Sequence, residues 1–118
     1  MKKSQETIGT DKPLVSFGEA IKALKEGKRV KREGWNHKDL FVFMQVPSQV
    51  PIDIVPKMTS LPKSVKDALL RRKQSSDCID HLAIKYHNQM ALVYPNNNIS
   101  GWSPSGSDAL ADDWIVLD

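Results

Sequence analysis

Apolar positions along the chain follow two periods. Phe17, Ala20, Ile21 and Leu24 recur at helical spacing, and Ser16 with Glu19 has the spacing of a capping box, so a helix is expected to open at Ser16. Gly27 stands where a C′ glycine closes such a helix. Residues 29–32 are short and extended and lead into a turn at Glu33-Gly34-Trp35-Asn36. Residues 40–46, Leu-Phe-Val-Phe-Met-Gln-Val, form the clearest strand, with β-branched and aromatic side chains on both faces. One face of a small sheet meets the core, so the other needs a helix or a second subunit to cover it.

Pro47, Pro51, Pro56 and Pro62 keep the next stretch irregular, with at most a short strand. Ser64 and Asp67 offer a cap for a basic amphipathic helix through Lys73. Residues 81–86 and 89–94, joined through His87-Asn88, alternate as the two arms of a hairpin. Asn96-Asn97-Asn98 marks a loop, Ser107 is positioned to cap a short helix through Ala111, and Trp114-Ile115-Val116-Leu117 closes as a strand. The expected fold is α+β: a small antiparallel sheet with a capped N-terminal helix, a helical insertion and a short C-terminal helical turn. Residues 1–13 are polar and aperiodic, a loose arm, and residues 14–118 form a single ligand-binding domain with its insertion at about 47–80.

Charge adds one feature to this outline. The net charge is only +3, yet residues 22–38 are rich in lysine and arginine while the segment after Trp102 carries only acids, so the two ends can attract each other. Lys22, Lys25 and Lys28 suit a solvated helix face; Lys31 and Arg32 stand near the aromatic Trp35. The lone Cys78 fits a reducing cytosol, and no apolar run approaches the roughly 20 residues of a membrane span, which points to a cytoplasmic protein.

The sequence assembles none of the usual enzymatic constellations. His37, His81 and His87 lack zinc-ligand spacing, a Cys78/His81 nucleophile pair is better read as packing, and no glycine-rich phosphate loop precedes a long helix. Asp112-Asp113 suits a cap or ligand anchor better than an acid/base pair. No metal or cofactor is expected, and the chain reads as a binder. The tail over residues 101–118 has the chemistry for it: tryptophans for stacking, and serines and aspartates for hydroxyl and amino groups. Trp114, beside Ile115 and Val116, reads as core; Trp35, in a polar turn, reads as a ligand platform; Trp102 fits either role. Asp113 serves equally as a ligand anchor or as a tie for the tail.

Ser16-Phe17-Gly18-Glu19-Ala20, Gly27-Lys28-Arg29-Val30, Arg32-Glu33-Gly34-Trp35-Asn36, Trp102-Ser103-Pro104-Ser105 and Asp108-Ala109-Leu110-Ala111-Asp112-Asp113-Trp114 together resemble the second class of phage Thoeris anti-defence proteins. Ala109-Leu110 stands where that family often has two leucines, a change of packing rather than of chemistry. The resemblance implies a non-enzymatic sponge, a homo-oligomer and typically a tetramer, that sequesters cyclic ADP-ribose isomers made by bacterial TIR-domain enzymes. It implies residence in the cytosol of the infected host. Some similar proteins also hold cyclic dinucleotides, the signals of CBASS defence, at separate sites.

On that reading Trp35 or Trp102 stacks on adenine, Asn36, Asp108 and Asp113 take ribose hydroxyls, and Arg32, Ser105 or Ser107 meets the pyrophosphate, with Ser103 and Pro104 completing the tail's wall. Ser107 remains first a helix cap. Many relatives cross residues 47–80 in fewer positions; Lys66, Arg71, Arg72 and Lys73 there suit a soluble surface, or a second anion site. Other classes stay open: a nucleic-acid-binding module using the basic stripe, although the acidic tail repels phosphates; a phage structural or protein-interaction module; and an enzyme that degrades the signal.

Overall fold

The computed structural model describes residues 12–35 and 39–118. Helix α1, Phe17–Lys25, begins where Ser16 Oγ accepts the Glu19 backbone N–H at 3.2 Å. It ends at Gly27, whose φ of +88° is the left-handed conformation that glycine adopts without steric cost. The chain forms two compact units. One takes in the chain through Gln45 and from Asn88 onward, and the other is Val46–His87.

The first unit is built on a five-stranded antiparallel sheet. Its strands are β1 (Val30–Arg32), β2 (Phe41–Gln45), β5 (Gln89–Val93), β6 (Ile99–Gly101) and β7 (Trp114–Val116), in the spatial order β6-β5-β2-β1-β7. Val30 lies opposite both Val42 and Val116, and Arg32 lies opposite Trp114, which puts these side chains on one face. Helix α1 covers that face. Ala20, Ala23, Leu24, Val30, Val42 and Trp114 form the buried cluster, and each larger aliphatic side chain there contributes roughly 1.5–3 kcal/mol. Val15, before α1, exchanges both backbone hydrogen bonds with Trp114, at 2.8 and 3.0 Å, and so covers the outer edge of β7. Phe41 and Phe43 project to the opposite face with Ala91, Val93 and Ile115, and both phenylalanines remain half-buried.

The second unit pairs β3 (Ser48–Pro51) with β4 (Ala83–Tyr86), antiparallel, with Val50 opposite Ile84. Between them lie a 3-10 turn over Ile52–Lys57, helix α2 (Lys63–Gln74) and a second 3-10 turn over Ile79–Leu82. Ile52 and Val55 are its buried side chains, whereas α2 buries none of its residues completely. The proline-rich stretch thus yields one short strand, as its spacing requires.

Three sequence expectations change. Residues 81–86 and 89–94 are not the arms of one hairpin: β4 pairs with β3 and β5 with β2. A two-residue hairpin of the favoured type needs positive φ at its central positions, and His87 and Asn88 have none. Asn97, with φ of 68°, supplies it instead in the turn between β5 and β6. Ser64 does not cap α2; that helix opens after Pro62 with no side-chain cap, and the Asp67 carboxylate is taken by Lys63 Nζ at 2.8 Å. Helix α3 (Gly106–Leu110) is capped by Ser105 rather than Ser107, because Asp108 sits three residues after Ser105 and closes a reciprocal capping box.

Candidate ligand-binding site

The three tryptophans converge on the helix-covered side of the first unit. Trp114 is fully buried, and its Nε1–H donates to the Asp108 carbonyl at 2.9 Å. Trp35, just after the turn that follows β1, and Trp102, just after β6, are half-buried. The ring centroids lie 5.6 Å apart for Trp35–Trp114, 6.0 Å for Trp102–Trp114 and 6.2 Å for Trp35–Trp102, every pair near perpendicular. Edge-to-face contacts of this kind place a positive ring edge on a negative ring face and hold each ring's orientation. Phe17 of α1 supports Trp114 from the helix, with centroids 5.1 Å apart.

The two half-buried tryptophans open onto a cavity of about 230 Å³ lined by Trp35, Leu40, Leu92, Trp102 and Asp108. Trp35, Trp102 and Asp108 are thus brought to one wall from three distant parts of the chain. Leu40 and Leu92 complete the lining, although their periodicity suggested only strand packing; Leu40, at the margin of a strand next to a polar turn, was the one available signal.

Arg32 ties this wall to the tail. Its Nε donates to Asp113 Oδ1 at 2.9 Å, its Nη2 to Asp113 Oδ2 at 3.5 Å and its Nη1 to Asp108 Oδ1 at 3.0 Å. Asp108 Oδ2 in turn accepts the Ser105 N–H at 2.9 Å, and the Glu33 N–H donates to the Asp113 carbonyl at 2.9 Å. Two carboxylates on one cation raise the Arg32 pKa, first through the hydrogen bond to Asp113 and then through that to Asp108. At Asp108, burial pushes the carboxyl upward, but hydrogen bonds from Ser105 and Arg32 outweigh it and leave the pKa below the ordinary value. The opposite charges of the basic segment and the acidic tail therefore meet, as their distribution along the chain suggested. The same happens at Arg29 Nη2 and Asp118 Oδ1, 2.7 Å apart.

A depressed folded pKa contributes stability that is complete above the unfolded value, about 3.9 for aspartate, and is lost as pH falls through the folded value. The acid limb of unfolding stability should therefore lie below about pH 4, and Asp108→Asn should flatten it. Urea titrations between pH 2 and 7 measure this, and an acid limb unchanged in Asp108→Asn would contradict it.

The remaining candidates fall into separate places. Ser105 is engaged as the helix cap, with its Oγ 3.0 Å from Asp108 N. Ser103 and Ser107 are exposed and Pro104 is half-buried, none of them lining the cavity. Asn36 lies outside the described residues, as does His37. Arg32 uses three of its five N–H donors on aspartates, which leaves two for other acceptors. Among the described residues no group of three metal-ligating side chains assembles, and no helix is long and apolar enough to cross a membrane. Arg32 and Asp113 do not line the cavity themselves; Arg32 holds the Asp108 carboxylate that does, so the arrangement offers two tryptophan rings, an apolar floor and one fixed carboxylate, which is suited to a flat ligand bearing hydroxyl groups.

The chain matches the family model of the Thoeris anti-defense 2-like domain over residues 15–117, and so over both units. The Thoeris anti-defense 2 protein of Bacillus phage SP01 is 27% identical over 106 residues, spanning 90% of this chain and 98% of that protein. With the match running from Val15 beside α1 to the end of the sheet, the chain belongs to the Thoeris anti-defense 2-like family.

Proposed function

We propose that this protein is a phage anti-defence sponge that binds a cyclic ADP-ribose-type signal, glycocyclic ADP-ribose being the candidate, and withholds it from Thoeris defence without cleaving it. It acts in the cytosol of the infected bacterium. The observation that carries this reading is the cavity in which Trp35, Trp102 and Asp108 meet, in a chain of this family. Adenine stacks on the Trp35 or Trp102 face, ribose hydroxyls donate to the Asp108 and Asp113 carboxylates, and the free N–H donors of Arg32 face the pyrophosphate. Neither aspartate is poised for proton transfer, since both are committed to Arg32.

A sponge must hold its ligand tightly. A dissociation constant near 10 nM corresponds to about 11 kcal/mol, which requires extensive enclosure. Sites that enclose a drug-sized ligand usually occupy about 300–1,000 Å³, more than the 230 Å³ between the tryptophans. A second copy of the chain supplies the missing wall on this reading. The half-buried Phe41 and Phe43, with Ile99 62% exposed beside them, lie on the sheet face opposite the tryptophans and provide apolar surface for a further contact between copies, and a tetramer is the expected state. Cyclic dinucleotides, taken at a separate site, belong to the same family reading and are the natural second titrant.

Trp35→Ala tests the site. Loss of a stacking ring costs roughly 1–3 kcal/mol, or about 5- to 150-fold in affinity. Calorimetry should show that loss while the melting temperature falls by only a few degrees. Unfolding of the variant, or unchanged affinity, would place Trp35 in the core alone.

A further inference from the structure

The second unit contains a cavity of about 290 Å³ that the proposed function does not use. Arg72 of α2, His81 of the second 3-10 turn and Lys85 of β4 all line it, and Ile52, Leu69 and Ile84 make its apolar floor. The Arg72 guanidinium has no ion pair or hydrogen bond among the described residues. Lys85 Nζ makes only a long contact, 3.4 Å, with the Asp80 carbonyl, so most of its donor capacity is unspent. His81 Nδ1 is buried and has no hydrogen-bond partner, a rare condition for a buried polar atom. Two cations with unspent donors on one small cavity, beside the His81 ring, are the complement of a compact anion.

We propose that this cavity binds a small sugar phosphate. Arg72 and Lys85 take the phosphate oxygens, the first in bidentate fashion, and the His81 ring borders the same cavity. The Asp80 carboxylate lines the same cavity and would repel a bare anion. It suits a ligand that also carries hydroxyl donors, and the apolar floor suits the C–H face of a sugar ring. A volume of about 290 Å³ accommodates one phosphorylated monosaccharide and excludes a dinucleotide-sized ligand. The site is lined wholly within Val46–His87 and is independent of the tryptophan cavity.

The test titrates the full chain with ribose 5-phosphate, orthophosphate and sulfate while the His81 imidazole resonances are followed by NMR. Saturable displacement by ribose 5-phosphate is expected, weakened about tenfold or more in Arg72→Ala and in Lys85→Ala, both of which keep the wild-type melting temperature. Asp80→Asn should weaken ribose 5-phosphate and strengthen orthophosphate. No saturable shift at millimolar ribose 5-phosphate would overturn the assignment. So would equal affinity for orthophosphate or sulfate, insensitivity to Arg72→Ala, or a fall in cyclic ADP-ribose affinity in that variant.

Discussion

Trp114→Ala should be the most destabilising single substitution in this chain. The side chain is fully buried, contacts the rings of Phe17, Trp35 and Trp102, and donates its Nε1–H to the Asp108 carbonyl. Truncation of a buried tryptophan costs about 3–5 kcal/mol, of which only part is recovered by collapse of the cavity. A domain of this size has a total stability of roughly 5–15 kcal/mol, so the variant should melt about 15–20 °C lower or fail to fold. Trp114→Phe keeps most of the apolar contact but strands the carbonyl of Asp108, and should cost about 1–2 kcal/mol. Denaturation of the pair against wild type measures both, and a loss below about 1 kcal/mol for the alanine variant would show that the tryptophan cluster is not what holds β7 to α1.

Arg32→Ala should have the next largest effect and the more distinctive signature. Arg32, Asp108 and Asp113 side chains are 24%, 16% and 28% exposed, so solvent screens the network only in part. Removing the cation leaves two carboxylates facing each other, with a cost of roughly 2–4 kcal/mol after a discount for that exposure. The cost depends on the carboxylates being charged. It should be complete near pH 7 and shrink as the Asp108 carboxyl protonates below about pH 4, where a neutral acid needs no counterion. Equilibrium unfolding of Arg32→Ala at the two pH values decides this; an equal loss at both would mean that the side chain acts through packing alone. A substitution of all three by apolar residues of matching volume should recover most of the stability and, on the proposed function, abolish ligand binding, since the Asp108 carboxylate that lines the cavity would be gone.

How far the sequence foretold these arrangements depends on the range of the interaction. Ser16, Glu19 and Gly27 act within one helix, and the helix appears where they place it. The apolar runs over 40–46 and 114–117 are likewise local, and both segments contain strands. The core position of Trp114 followed from its apolar neighbours. Pairing partners are a long-range property, so the hairpin through His87-Asn88 was misread: two adjacent strands looked like partners, although each pairs with a strand some forty residues earlier in the chain. The cap of α3 was misassigned between two serines because either position satisfies a local rule, and only the reciprocal bond between Ser105 and Asp108 distinguishes them. The charge asymmetry announced that the basic segment and the tail attract. It did not announce that Arg32 would hold Asp108 and Asp113 together, which depends on the register that sets Arg32 opposite Trp114. The β6 strand, Ile99–Gly101, escaped because three residues carry too little periodicity.

The cavity also revises the relation between the tryptophans. By sequence alone Trp114 reads as core, Trp35 as platform and Trp102 as either. In the folded chain each ring's orientation depends on the other two, so the buried Trp114 positions the half-buried pair that faces the cavity. On the proposed function, binding and stability are coupled at this point, and substitutions at Trp102 should affect both.

The central claim is sequestration without turnover. Purified protein is incubated with one equivalent of glycocyclic ADP-ribose, separated from free ligand, heat-denatured, and the released material is identified by mass spectrometry. The account predicts binding heat during titration and release of the intact cyclic molecule in stoichiometric amount; absence of binding, or release of linear ADP-ribose or smaller fragments, would contradict it.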